Sequence, residues 1–168
     1  MKEDYSILKD KVSEMNKLQD EISFINWNKD DGYKFSSVEE MKEFNEKMEN
    51  GDFDYLFTGS DEIKVPTIKI IENYSHKFGS MLINVFLIEK NKEFITFMTI
   101  TNNDDNDMLE NLCRNQNESK QNAYTHFNTL KDEVTTNSIE DILKSLITGA
   151  EKTIISLKNK LALLTSEN

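Results

Sequence analysis

The stretch Met81–Thr101 reads MLINVFLIEKNKEFITFMTIT, and its pattern decides the fold. Leu82–Ile88 and Phe94–Ile100 are dense in Ile, Val, Phe and Thr, whose branched or ring side chains fit a pleated, half-buried surface. Lys90-Asn91-Lys92 lies between the two runs, and Asn91 tolerates the positive φ that a tight reversal needs. In the second run Phe94, Thr96, Met98 and Ile100 alternate with Ile95, Phe97, Thr99 and Thr101, and neither set is wholly polar. Strands apolar on both faces are covered on both sides, or by helices on one side and a partner on the other. The stretch therefore predicts a central hairpin, with Phe86, Leu87, Ile95 and Phe97 among the most buried residues.

Toward the N-terminus, Ile68 and Ile70, then Tyr74, His76 and Phe78, keep a period of two up to Gly79-Ser80, a second reversal. Pro66 has no N–H to give to a ladder, so this strand lies at an edge or begins after the proline. The expectation is a three-stranded antiparallel meander over about residues 67–101, with residues 53–58 a candidate extension. Helical spacing surrounds it. Tyr5, Leu8, Val12, Met15, Leu18 and Ile22 recur at intervals of three and four over residues 3–24. Phe24–Trp27 reads as a short strand. Ser36 or Ser37 caps a helix at Val38–Glu49, with Glu39 or Glu40 completing a capping box. Leu109, Cys113, Gln116, Lys120, Ala123, Phe127, Leu130 and Val134 predict one helix over residues 107–134, with Asp105 or Asp107 as its N-cap and a polar middle at Arg114–Asn122. Ser138 caps a last helix, Ile139–Leu164, whose seam of Ile139, Leu143, Leu146, Ala150, Ile154, Leu157, Leu161 and Leu164 is the most regular in the chain. The predicted class is α+β: one domain over residues 1–168, an antiparallel meander covered by N-terminal and C-terminal helices.

Composition narrows the function. The chain has 168 residues, is 37% hydrophobic, and carries a single cysteine, Cys113, so an internal disulfide is impossible. Cys113 reads as a small buried hydrophobe rather than a nucleophile. No run is long and apolar enough for a membrane helix, and the first residues lack the apolar core of a signal peptide. The expected location is the cytoplasm.

Net charge is −11, unevenly spread. By segment it is −2 over 1–28, −7 over 29–62, +2 over 63–101, −4 over 102–137 and 0 over 138–168. Binding to a nucleic-acid backbone is disfavoured, because such proteins bring cations to phosphates. A protein partner with a basic surface fits better.

Few motifs carry chemistry. No glycine-rich phosphate loop, GxSxG, HExxH or paired CxxC occurs. Placing Gly32 at the glycine of an EF-hand loop puts Trp27 and Val38 at ligand positions, which excludes that reading. No catalytic residue, cofactor or metal site is assigned. The candidate partner-binding residues are Asp52, Phe53, Asp54, Tyr55, Phe57, Asp61 and Glu62, where aromatic anchors sit among carboxylates. The expected function is that of a non-catalytic acidic protein-binding protein, of inhibitor, immunity or chaperone type and of phage or bacterial origin, masking a basic or apolar surface. Two other readings stand beside it. One is an oligomeric assembly subunit using its terminal helices, with a homodimer formed through the last. The other is a Mg-dependent hydrolase using Asp104, Asp105 and Asp107.

Overall fold

The computed structural model describes residues 2–29, 34–49 and 68–166. Their elements run α1 (Lys2–Lys29), α2 (Val38–Glu49), β1 (Ile68–Phe78), β2 (Met81–Lys90), β3 (Glu93–Asn102), β4 (Asp107–Asn117), α3 (Lys120–Thr136) and α4 (Ile139–Ser166). The strands form one antiparallel sheet in the order β1-β2-β3-β4. The fold is α+β, an antiparallel meander flanked by N-terminal and C-terminal helices. The candidate extension at residues 53–58 lies outside the described residues.

The chain divides into two compact units, with boundaries inside α1 and α4. Residues 1–10 and 67–149 make the first, which holds the sheet. Its β2–β3 pairing is unbroken from Met81↔Asn102 to Lys90↔Glu93. Asn91 and Lys92 close that hairpin with φ of 52° and 67°. Two central residues with positive φ make a type I′ turn, whose twist matches that of the strands it joins. At the other end Gly79 supplies a φ of 59° between β1 and β2.

Register assigns the two faces of the sheet. Met81, Ile83, Val85 and Leu87 share one face with Asn102, Ile100, Met98 and Thr96. All eight are at most 2% exposed. Helix α3 covers this face: Lys131 lies over the Tyr74 ring, 5.1 Å from its centroid, and Asn115 Nδ2 is 2.7 Å from His126 Nε2. Tyr74 pairs with Val85 and Asn115 with Thr96, so both belong to the covered face. Ala123, Phe127, Leu130 and Val134 form the buried stripe of α3. Each fully buried aliphatic side chain in such a core contributes roughly 1.5–3 kcal/mol. On the opposite face Phe86 and Phe97 pair and stack, with ring centroids 5.1 Å apart. Leu87 and Ile95 are buried as the pattern predicts, but Phe86 and Phe97 are only half-buried.

The predicted helix over residues 107–134 is two elements. Asp107–Asn117 is strand β4, and only Lys120–Thr136 is helical. The cause lies in the pairing. Ile100, Met98 and Thr96 step by two along β3, while their partners Leu109, Leu112 and Asn115 step by three along β4. Two β-bulges, each adding one residue, account for the mismatch. They turn Leu109 and Leu112 to the covered face at an interval of three, which imitates a helical stripe. Cys113 sits in the second bulge with a φ of 57°; the residue as a whole is exposed, while burial pushes its thiol pKa up to about 11. The predicted N-cap at Asp105 or Asp107 is replaced by a turn between β3 and β4. Helix α3 is capped by Ser119, whose Oγ accepts from Asn122 N at 3.1 Å.

The second unit comprises residues 11–66 and 150–168. Here Phe24–Trp27 is the last part of α1, not a strand. Trp27 packs against Phe35 and Phe44 at centroid distances of 5.2 and 6.0 Å. Asn28 closes the approach to α2, donating from Nδ2 to Phe35 O and accepting from Phe35 N at Oδ1, both at 3.0 Å. Ser37 caps α2, accepting from Glu40 N at 3.1 Å, while the Glu40 carboxylate accepts from Ser36 N at 2.9 Å. Ion pairs Lys42–Asp20 and Lys158–Glu14, at 3.5 and 3.2 Å, lie on the surface of this unit.

Candidate partner-binding surface

The predicted partner-binding residues Asp52, Phe53, Asp54, Tyr55, Phe57, Asp61 and Glu62 all lie outside the described residues. The second acidic segment, over residues 102–137, is described, and its densest part is the turn between β3 and β4. Sequence explains the turn locally. Asn and Asp side chains bond backbone groups one or two residues on, which stabilises a reversal without regular structure. Asn102 anchors it from the core: its side chain is buried, its Oδ1 accepts from Asp104 N at 3.2 Å and its Nδ2 donates to Asp105 Oδ2 at 3.0 Å. Asn103 N donates to Ser80 O at 2.9 Å, which ties the turn to the β1–β2 reversal. Asn106, with a φ of 49°, takes the left-handed position that Asn tolerates.

The N-terminal turns of α1 face this reversal. Tyr5 and Lys9, four residues apart, share one side of the helix. Lys9 is ion-paired with Asp107. The hydrogen bond from Lys9 holds the Asp107 carboxyl below its usual range, and the same bond raises the Lys9 ammonium. Together Tyr5, Ser6, Lys9, Asp105, Asn106 and Asp107 line a cleft of about 380 Å³. The Tyr5 hydroxyl is buried and, among the described residues, has no hydrogen-bond partner. Its pKa is pushed up to about 12, by burial first and then by the charges of Asp107 and Asp105. At neutral pH it stays a phenol.

The structure thus brings Asp105 and Asp107 to one cleft, with Asp104 beside them in the turn. Among the described residues no group of three or more His, Cys, Asp or Glu is arranged to hold a metal ion. Asp107 has an ammonium beside it, and Asp105 is held by Asn102. Sequence reasoning missed Tyr5 and Lys9 as parts of a site. Tyr5 was legible only as the first member of the α1 stripe, and nothing local to it marks an acidic turn about a hundred residues away.

No helix among the described residues is long and apolar enough to cross a membrane. Comparison with known protein families, with curated proteins and with solved structures gives no match to this chain.

Proposed function

We propose that this chain is a non-catalytic protein-binding protein of inhibitor, immunity or chaperone type, which acts in the cytoplasm by masking a basic surface on a partner. The supporting observation is the charge layout: within a net −11, −7 falls over residues 29–62 and −4 over 102–137, on either side of a sheet segment at +2, with −2 over 1–28 and 0 over 138–168. Solubility alone needs no such clustering. Crowded like charges weaken the free protein slightly, and a cationic partner relieves that repulsion. In this reading Asp52, Asp54, Asp61 and Glu62 steer the encounter, and Phe53, Tyr55 and Phe57 anchor it.

The test is a variant in which Asp52, Asp54, Asp61 and Glu62 become Asn or Gln, compared with the native chain in capture from the host and in association kinetics. The expected result is a partner lost between low and high salt, and a slower on-rate for the variant at low salt with unchanged or raised thermal stability. A salt-insensitive complex, or clear destabilisation of the variant, overturns the reading. A second reading draws on α4, where Ile155 and Leu163 are 62% and 67% exposed. They suit a homodimer through this helix. Light scattering separates the two: a strict monomer at high micromolar concentration removes the dimer.

A further inference from the structure

The cleft at Tyr5 combines an unpaired buried hydroxyl with an incompletely balanced acidic rim. A polar group shut away from water and left without a partner carries a free-energy cost that a bound group can return. Tyr5 is 4% exposed and its hydroxyl has no partner among the described residues, although it lies near enough to Asp107 and Asp105 to feel their charges. The charges lining the cleft are Lys9, Asp105 and Asp107. Lys9 and Asp107 neutralise one another. Asp105 accepts from the neutral Asn102 amide through Oδ2, and with Lys9 shared between it and Asp107 the charges lining the cleft sum to −1.

One uncompensated negative charge matches a monovalent cation. A divalent ion meets the Lys9 ammonium with twice the repulsion and finds too few free oxygens, since Ca²⁺ takes six to eight and Mg²⁺ demands a near-octahedral set. Among monovalent cations the ammonium is compact and strongly hydrated, whereas the planar guanidinium is weakly hydrated and carries five donors in a fork. The acceptor-bearing residues Asp105, Ser6 and Asn106 line the cleft together with the buried Tyr5. We infer that the cleft between α1 and the β3–β4 turn receives a guanidinium group, with Asp105 as its counter-charge and Tyr5 as its buried hydrogen-bonding partner. The inference rests on the reading of a cationic protein partner, since an arginine side chain is where a protein carries this group.

The probe is N-acetyl-arginine amide, titrated into the full chain and followed by amide NMR at about 0.15 M salt. The expected result is saturable shifts confined to Ser6, Asn106, Asp107, Met108 and the Tyr5 ring. Asp105→Asn keeps the shape and the Asn102 contact while removing the charge, and should weaken binding by about tenfold. Tyr5→Phe keeps the ring and should weaken it several-fold; thermal melts establish that both variants are folded. The neutral citrulline analogue should produce no shifts. Non-saturating shifts across all acidic segments, undiminished binding in both variants, equal binding of N-acetyl-lysine amide, or displacement by Mg²⁺ beyond its ionic-strength effect would each overturn the inference. Partner capture distinguishes the two levels. If the cleft binds the probe while no cationic protein is captured, the proposed function fails and the cleft stands. If a partner binds Asp105→Asn as it binds the native chain, the function stands and the cleft is not its contact.

Discussion

The two hairpins that share β3 are built on opposite terms. Between β2 and β3 the ladder runs without a shift, closed by two residues at Asn91-Lys92. Between β3 and β4 it breaks twice and is closed by the acidic turn from Asn103 to Asn106. The first hairpin is made of Ile, Val, Phe and Thr, whose burial on the α3-covered face fixes register: a slip of one residue would carry Ile83, Val85 and Leu87 to the other face. The second offers only Leu109 and Leu112 to the same core, and among the residues between and after them are Glu110, Arg114 and Gln116. It reaches the covered face only by spending extra residues in bulges. One hairpin supplies the core, and the other supplies the acidic rim.

The largest effect should come from removing a regular member of the first hairpin. Leu87→Ala should lower stability by about 2–5 kcal/mol, since Leu87 is wholly buried under α3. Phe97→Ala, on the other face, should cost less, about 1–2 kcal/mol, because half-burial and a single ring stack are lost. Denaturant melts of both variants check this, and a larger loss at Phe97 would show that the opposite face carries the core. A smaller effect of opposite sign belongs to the bulged strand. Cys113→Gly should raise stability by about 1 kcal/mol, by releasing a left-handed backbone position, while Cys113→Val should lower it. Equal melting temperatures for all three residues at this position would mean that the bulge stores no strain. In the tight turn, Lys92→Gly creates the Asn-Gly pair favoured in type I′ reversals and should add about 0.5 kcal/mol; a loss there would contradict the I′ geometry.

The smallest effect concerns Lys9 and Asp107, a surface pair. The folded Asp107 pKa is depressed, so its contribution is present above the unfolded carboxylate value and is lost as pH falls through the folded one. The Lys9 pKa is raised, so its contribution is present below the unfolded ammonium value and is lost as pH rises through the folded one. Lys9→Met should return the Asp107 carboxyl toward its usual range in a carboxyl-detected NMR titration. An unmoved titration would separate α1 from the acidic turn.

These contrasts also explain what the sequence made legible. Strands β2 and β3, their turn at Asn91, the Gly79 reversal and the serine caps of α2 and α4 each rest on neighbours in the chain, and local pattern finds them. Asp141 N does donate to Ser138 Oγ, at 3.2 Å, as the capping signature requires. Strand β4 has the sequence pattern of a helix because a bulge is a property of two strands, invisible in one of them. The spacing of Leu109, Cys113 and Gln116 is helical in form, but the neighbours that set the true register, Ile100 and Met98, lie on β3. Among the site residues, the acid of the β3–β4 turn is evident as composition, which is what suggests the Mg-dependent alternative on Asp104, Asp105 and Asp107. The partnership of Asp107 with Lys9 and the orphaned hydroxyl of Tyr5 arise from long-range packing, which no periodicity encodes.

The irregularities of the sheet also bear on whether this chain can add to itself. All three register shifts fall in the outer pairings, one between Ile70 and Glu72 in β1 and two in β4, and none in the central one. A hairpin as rich in Ile and Phe as β2–β3 is the kind of segment that templates fibril growth when laid bare. To extend the sheet past β4, an incoming strand would have to match a ladder that gains a residue twice within its length and is lined with Glu110, Arg114 and Gln116. Among the described residues, β4 thus offers no straight run of donors and acceptors for a further strand to copy.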